Sequence, residues 1–392
     1  MPKPAVLWSH AFRPFFLLSG LVAVAAVAAW ILILRGVGMP VPGQNVLQWH
    51  GHEMLVGFAM ATIAGFLLTA VATWTGRKPV DGAPLVLLAI FWIAGRFAMA
   101  FAAGLQSWAV ATLDMLFPVW LCVLVGREIF AAENRRNYPI VAIAAFLALL
   151  NLVYHFGTAG VIPRADGFVL YFFIHTILLL ITVIGGRILP NFTANWMRSH
   201  GIPRPPVNNA RLDRLTIGTT ILLGVTGSLY ATSTVVGWLA ITTAVLHAWR
   251  LSQWRGLATF REPLLFVLHF SYLWLPVGYA LLGLAIVAGM GTATGALHVL
   301  TMGGIGGMIL SMITRVPLGH TGRPLHASRL TVVAYISLIV AVLLRVWGPL
   351  DSKHYLGLLT YAGVAWCAAF TIFLIVYWPV LTQARVDQPK SS

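Results

Sequence analysis

The sequence predicts an all-α, polytopic integral membrane protein of about 12 transmembrane helices. Of its 392 residues, 59% are hydrophobic and only 9% are charged, whereas soluble domains are about 45–50% apolar and about 25% charged. Apolar stretches of roughly 20 residues, the length needed to cross about 30 Å of hydrocarbon, recur along the whole chain. These observations exclude a soluble protein, and we treat residues 1–392 as a single transmembrane domain.

The hydropathy pattern places the spans in chain order, and the first apolar run is too long for a cleavable signal sequence. The predicted spans cover residues 12–34, 46–73, 84–104, 107–130, 138–157, 167–187, 213–232, 234–251, 263–287, 293–314, 328–347 and 355–382. Between the sixth and seventh spans, the segment from Pro190 to Asp213 contains Pro203, Pro205 and Pro206. We predict that this segment is a basic, non-helical loop.

The basic residues indicate the orientation of the chain. With a cytoplasmic N-terminus, twenty of the 25 lysines and arginines, Lys3 and Lys390 among them, fall on the inside, and Arg96 lies at a helix end. The four on the outside are Arg35, Arg164, Arg345 and Lys353. This asymmetry is the positive-inside rule, so the net charge of +15 indicates topology and not a nucleic-acid partner. It predicts an even number of spans and two cytoplasmic termini.

An internal repeat emerges when the first three spans are laid over spans nine to eleven. Phe12-Arg13-Pro14 has an echo in Phe260-Arg261-Glu262-Pro263. The second and tenth spans share a histidine and two methionines at equal offsets: His50, Met54 and Met60 against His298, Met302 and Met308. We predict four-helix units over residues 1–136, 137–260 and 261–392, with chance similarity between membrane sequences as the alternative.

Four histidines fall toward the predicted outer ends of the second, sixth and tenth spans: His50, His52, His175 and His298. Ionisable groups inside a bilayer are costly and commonly functional, and imidazole binds copper, haem iron and zinc. We predict a metal layer at this depth, with hydrogen-bonded interior histidines as the alternative. His50 and His52 lie about 200° apart on a regular helix, so they would serve different ligands.

A second group of polar residues lies toward the predicted cytoplasmic side. His269 and His320 are candidates there for a second metal site or for binding a haem propionate together with Arg13, Arg315 or Arg323. The other histidines on this side or in loops are interpreted as interfacial polar residues: His10, His200, His247, His326 and His354. The two cysteines, Cys122 and Cys367, lie within predicted spans, so a metal would be bound by histidine, methionine or carboxylate.

Glu53 and Asp114 are the carboxylates that lie clearly within predicted spans, both near the outer side. Glu53 could orient a ligand histidine or relay protons. The inner half has no such carboxylate at mid-depth, which argues against a proton path from the cytoplasm and therefore against a redox proton pump. The sequence also lacks a Walker motif, a dinucleotide fingerprint and HExxH, so ATP-driven transport and hydrolysis have no support.

Several long strings closely resemble the NnrS family: Phe12-Arg13-Pro14-Phe15-Phe16, Trp49-His50-Gly51-His52-Glu53-Met54, Gly65-Phe66-Leu67-Leu68-Thr69-Ala70, Gly185-Gly186-Arg187-Ile188-Leu189-Pro190-Asn191-Phe192-Thr193 and Leu318-Gly319-His320-Thr321-Gly322-Arg323-Pro324. The resemblance covers nearly the whole chain. It implies a bacterial inner-membrane protein that contains haem and copper and is associated with denitrification and the response to nitric oxide. The family's histidine positions are carried here by His50, His52, His269, His298 and His320.

The span order also resembles the catalytic subunit of haem–copper oxidases and nitric oxide reductases. That resemblance implies a haem b between His298 and either His50 or His52, with His175 facing a second metal. The chain departs from the pattern in two ways: its paired histidines are on the second span, and the seventh span lacks adjacent histidines. A complete binuclear centre is therefore not implied.

Three functional hypotheses follow from these patterns. The first is a haem and copper protein that binds or reduces nitric oxide or protects against nitrosative stress, with a quinol or cytochrome as electron donor if it is a non-pumping oxidoreductase. The second is a transporter or exporter of a metal or metal–nitrosyl species. The third is a nitric oxide sensor that signals through the loop from Pro190 to Asp213.

Overall fold

The computed structural model describes residues 5–37, 45–163 and 165–386, so Lys3, Arg164 and Lys390 lie outside the described residues. Within these ranges the chain forms twelve long helices and no strand. The predicted all-α class and helix number are confirmed. Eleven of the helices are long and apolar enough to cross a membrane, the exception being the helix that carries Arg211, Asp213 and Arg214 near its start.

The helices follow the order of the predicted spans, and their ends differ from the predicted ends by a few residues in most cases. They are α1 Phe12–Leu34, α2 Val46–Thr75, α3 Ala83–Ala100, α4 Ser107–Ala131, α5 Tyr138–Thr158, α6 Ala165–Ser199, α7 Ala210–Leu229, α8 Thr234–Gln253, α9 Pro263–Ala288, α10 Ala293–His320, α11 Arg329–Trp347 and α12 Tyr355–Thr382.

The predicted loop from Pro190 to Asp213 is wrong at both ends, because α6 continues through Pro190 to Ser199 and α7 begins at Ala210. A proline removes one helical hydrogen bond, but burial of the following turns favours continuation. Leu189 and Thr193 are fully buried, and the Thr193 hydroxyl donates to the Leu189 carbonyl at 2.9 Å. The non-helical stretch between α6 and α7 spans only residues 200–209, and the sensor hypothesis stays a prediction.

The chain forms two compact units. Unit 1 comprises Met1–Phe173, Val316–Pro324 and Phe373–Ser392, and unit 2 comprises Ile174–Arg315 and Leu325–Ile372. The single-domain description and the three four-helix units stay predictions.

Helices α2 and α10 each contain a π-helical segment, Glu53–Ala59 in α2 and Val299–Gly306 in α10. The segments begin directly after His52 and His298, so the two helices share an unusual local structure at positions that the sequence repeat equates. π-Helical turns are rare and occur frequently at functional sites. Both predicted ligand positions therefore border a widened stretch of backbone.

Candidate metal centre

Six polar side chains from four helices meet inside unit 1, and we call them the ionic cluster. They are His52 and Glu53 from α2, Arg96 from α3, Asp114 from α4, and Asn151 and His155 from α5. Five of them are buried, and the side chain of Arg96 is 11% exposed. Because burying unpaired charge is expensive, the cluster depends on mutual hydrogen bonding.

Both ring nitrogens of His52 lie within hydrogen-bonding distance of an acceptor oxygen. Its Nδ1 lies 3.2 Å from Glu53 Oε1, and its Nε2 lies 2.9 Å from Asn151 Oδ1. The same Nε2 is 3.2 Å from Asp114 Oδ2. His52 is thus fixed in orientation by neighbours on either side of the ring, with Tyr154 stacked on it at 4.5 Å between ring centroids.

Asp114 is the centre of the cluster. Its Oδ2 lies 2.9 Å from His155 Nε2 and accepts from Asn151 Nδ2 at 2.7 Å. Its Oδ1 accepts from Arg96 Nη2. Within the described residues, the partners of this carboxylate come from α2, α3 and α5, so Asp114 connects α4 to three other helices.

The charges of the cluster do not cancel when both histidines are neutral. Arg96 donates from Nη1 to Glu53 Oε1 at 2.6 Å and from Nη2 to Asp114, so one guanidinium faces two carboxylates. In a region of low dielectric, the remaining negative charge favours one more positive charge nearby. A proton on the histidines or a bound cation would supply it.

Two glycines allow the close approach of these groups. A Cβ at Gly95 would lie 2.7 Å from Asp114 Oδ1 and 3.1 Å from Asp114 Cα, so α3 and α4 meet at backbone distance. A Cβ at Gly57, inside the π-helical segment, would lie 3.0 Å from Arg96 Nη1. The Gly57 carbonyl accepts from Trp92 Nε1 at 3.1 Å. Small residues here position the arginine over both carboxylates.

The cluster has the donor set of a small metal site. His52, Asp114 and His155 each offer one ligand atom, and these atoms lie within 4.8 Å of one another. Glu53 lies at Nδ1 of His52, where an orienting carboxylate would act. His52 and Glu53 are among the residues predicted from the sequence, whereas Asn151 and His155 are not. Their spacing of four residues, which puts both on one helix face, was the available signal.

The other outer histidines lie apart from this cluster or in unit 2. His50 stacks on Trp30, with ring centroids 4.6 Å apart, so His50 and His52 do have different environments. In unit 2, His298 Nδ1 lies 2.8 Å from the Thr294 carbonyl, which would make Nε2 the coordinating nitrogen if the residue binds a metal. His175 is buried against Tyr279, and its Nδ1 has no hydrogen-bond partner within the described part of the chain.

The interpretation of His247 as an interfacial residue is wrong, because its side chain is fully buried in unit 2. Thr220 donates its proton to the Thr216 carbonyl, so His247 Nε2 donates to Thr220 at 3.0 Å. Its Nδ1 then accepts from Tyr272 Oη at 2.8 Å. The neighbouring Arg250 made an exposed position plausible in the sequence, but Arg250 is itself buried.

Arg250 completes what we call the tyrosine–histidine network: Asp213, Thr220, His247, Arg250 and Tyr272. Arg250 donates to Asp213 Oδ1 at 2.7 Å, to the Thr182 carbonyl at 2.8 Å and to Tyr272 Oη at 3.1 Å. The network therefore pairs one guanidinium with one carboxylate, and its other members are neutral.

The residues predicted to lie on the cytoplasmic side are divided between the two units. In unit 2, Thr193 accepts from His269 Nε2 at 2.8 Å, and His269 Nδ1 is buried without a described partner. Arg315, also in unit 2, lies over the ring of Phe192 at 4.8 Å. The grouping of Arg315 with Arg13 and Arg323 stays a prediction, since those two residues belong to unit 1.

In unit 1, the start of α1 and the end of α10 bring together Arg13, His320 and Arg323. Arg13 Nη1 donates to the carbonyls of Leu381 and Gln383, each at 2.8 Å. Arg323 Nη2 donates to the side-chain oxygen of the same Gln383 at 3.3 Å. The ring of Phe12 lies between those of His10 and His320, at 5.8 and 5.5 Å.

His10 lies close to the positively charged groups Arg13 and Arg385. Burial holds the pKa of His10 below its usual value, and the charges of Arg13, His320 and Arg385 add to that effect, against an opposing effect of Asp81. The surroundings of His10 are thus net cationic.

The model of the NnrS family, described as NnrS protein, matches residues 6–385. The chain belongs to the NnrS family, a family of membrane proteins linked to the nitric oxide response. No curated protein matches the chain in a direct sequence comparison.

Proposed function

We propose that this member of the NnrS family is a haem- and copper-binding protein of the bacterial inner membrane, with cytoplasmic termini, that binds or reduces nitric oxide or protects against nitrosative stress. The observation that carries the proposal is the buried set His52, Asp114 and His155, whose ligand atoms lie within 4.8 Å of one another. Two imidazoles and a carboxylate form a donor set that suits copper.

Copper would be held by Nε2 of His52, Nε2 of His155 and Oδ2 of Asp114. The cluster's excess negative charge favours a cation, and Glu53 would fix the His52 tautomer by accepting from Nδ1 at 3.2 Å. Arg96 would hold the other oxygen of Asp114, and burial would exclude water from the site. Bound copper would supply one-electron redox chemistry.

Haem fits His52 poorly, because Nε2 of that ring lies 2.9 Å from Asn151 Oδ1 and 3.2 Å from Asp114 Oδ2 in unit 1, a spacing that suits a single metal ion and not a macrocycle. The candidate haem ligands are therefore His50 in unit 1 and, separately, His298 in unit 2. His298 suits that role, because its Nδ1 donates to the Thr294 carbonyl at 2.8 Å and so fixes the ring and its tautomer. The Nδ1 atoms of His175 and His269 are buried without partners among the described residues, so these two histidines are the alternative candidates for a ligand.

The test is metal analysis with optical spectra on protein purified from cells supplied with haem and copper. His52→Ala and His155→Ala are expected to lose copper while keeping the haem Soret band, whereas His298→Ala is expected to change the band. His354→Ala, an exposed histidine in a loop, is the control and should alter neither. A colourless, metal-free wild type would refute the proposal.

Turnover is tested separately, with reduced quinol or a reduced cytochrome as electron donor and nitric oxide as substrate. Consumption that stops in His52→Ala would indicate a reductase. Saturable spectral changes without consumption would indicate binding or protection. If a copper-loaded, haem-loaded sample showed neither consumption nor spectral changes, nitric oxide would be excluded as the ligand.

A further inference from the structure

A group of basic side chains at the predicted cytoplasmic end of unit 1 is not used by the proposed metal sites. We call it the basic cluster, and its members are His10, Arg13, His320, Arg323 and Arg385. Gln383 joins two of them, since its carbonyl accepts from Arg13 and its side chain accepts from Arg323. Two guanidinium groups are thus held beside one residue.

Two donors of the basic cluster have no hydrogen-bond partner within the described residues. They are Nε of Arg13 and Nη1 of Arg323, and both atoms are buried. Arg13 is only 3% exposed, whereas Arg323 is partly exposed, so a ligand would reach the two donors from the side of Arg323. A buried, unpaired guanidinium N–H is costly, and an anion would satisfy it.

Capping of a helix accounts for only one of the hydrogen-bond donors of Arg13. Its Nη1 donates to the Leu381 and Gln383 carbonyls at the end of α12, where a cation is favourable. That contact does not involve Nε, and it does not account for the unpaired donor of Arg323. The basic cluster therefore contains more donor capacity than the helix terminus requires.

The position of the basic cluster along the helices indicates the kind of anion. Arg13 is in the first turn of α1, Arg323 follows the last residue of α10, and Gln383 follows the last residue of α12. Spans begin and end at the level of the lipid headgroups, where the phosphates of anionic phospholipids lie. Guanidinium groups bind phosphate oxygens with paired, charge-assisted hydrogen bonds.

We propose that the basic cluster binds the phosphate group of an anionic phospholipid, with Nε of Arg13 and Nη1 of Arg323 as the donors. Inorganic phosphate carries the same chemistry and is the other source of such a ligand. The site is independent of haem and copper, so it can be tested on protein that contains neither.

The experiment measures binding to the detergent-purified full chain. Phosphatidylglycerol is titrated against thermal unfolding and against retention of lipid in native mass spectrometry, with phosphatidylcholine and inorganic phosphate in parallel. Phosphatidylglycerol is expected to stabilise the wild type and to remain bound, whereas phosphatidylcholine does neither. Arg323→Gln is expected to weaken phosphatidylglycerol binding about tenfold, the loss of one charge-assisted hydrogen bond.

Arg136→Gln is the matched control, because it removes the same charge from an exposed position of unit 1 outside the basic cluster. It should bind phosphatidylglycerol like the wild type. Arg323→Gln is preferred to a change at Arg13, whose loss would also uncap α12. Stabilisation by phosphatidylglycerol alone identifies the lipid as the source, and stabilisation by inorganic phosphate alone identifies the free anion.

Three outcomes would overturn the proposal. One is equal binding of phosphatidylglycerol and phosphatidylcholine with no effect of inorganic phosphate. Another is equal weakening in Arg323→Gln and Arg136→Gln, which would indicate nonspecific attraction to anionic lipid. The third is unchanged lipid binding in Arg323→Gln. If the same variant, purified with haem, also lost the Soret band, the basic cluster would be a site for haem carboxylates.

Discussion

The two units contain buried polar groups of different charge balance. The ionic cluster of unit 1 has two carboxylates, one guanidinium and two histidines, all within a few hydrogen bonds of Asp114. The tyrosine–histidine network of unit 2 has one guanidinium and one carboxylate, and the side chain of that carboxylate, Asp213, is 31% exposed. Its remaining bonds are made by hydroxyls, a neutral imidazole and the Thr182 backbone carbonyl.

This difference decides which buried histidines can hold a cation. In unit 1 the surplus carboxylate favours positive charge, whereas in unit 2 the guanidinium of Arg250 lies beside Tyr272, the partner of His247. A cation placed at His247 would face that guanidinium across a medium of low dielectric. Imidazole by itself therefore does not define a metal site, and the neighbouring charges favour a cation in unit 1 over unit 2.

The largest expected effect is that of Asp114→Ala. It leaves Arg96 with only Glu53 and removes partners from His52, Asn151 and His155, so we expect a loss of about 3–5 kcal/mol and no bound copper. Unfolding in detergent mixtures and copper analysis measure the two effects. Asp114→Asn keeps the volume and should lose copper with a smaller loss of stability. Retained copper in both variants would mean that the charge argument is wrong.

A second change tests the packing that brings the carboxylate to the arginine. Gly95→Ala inserts a Cβ at 3.1 Å from the Asp114 backbone, so α3 and α4 must separate, at an expected cost of about 3 kcal/mol. Gly218→Ala in α7 is the control, because the added Cβ meets no atom within 4 Å. It should be neutral or slightly stabilising, since alanine favours the helix. Equal stability of the two variants would contradict the close approach.

The third prediction concerns the tyrosine–histidine network. Tyr272→Phe removes the hydroxyl that bonds His247 and accepts from Arg250, so we expect a loss of about 1.5 kcal/mol with unchanged copper content. Tyr230→Phe, at an exposed tyrosine, is the control for the loss of a hydroxyl. If Tyr272→Phe lost copper as fully as His52→Ala, the separation of roles between the units would fail.

The sequence predicts the helices well, because hydropathy and length depend on each segment alone. It also identifies His52 and Glu53, since charged groups in an apolar run are costly. It does not show that Asp114 faces His155, which is 41 residues away, because that pairing depends on how α4 and α5 pack. Arg96 was assigned to a helix end by its position along the chain, although Gly57 and Gly95 let it reach both carboxylates inside unit 1.

The smallest expected effect is that of a change in an aspartate–histidine pair that lies outside the helices. Asp351 and His354 form a pair at 2.9 Å in an exposed loop of unit 2, and the hydrogen bond to His354 holds the pKa of Asp351 below its usual value. A lowered carboxyl pKa stabilises the folded state near neutral pH, and this contribution is lost as the pH falls. Water screens this pair, whose His354 and Asp351 side chains are 63% and 35% exposed. We therefore expect Asp351→Asn to match the wild type in melting temperature at pH 7 and pH 5 and in copper content, whereas a clear shift would show that burial does not distinguish this pair from the ionic cluster.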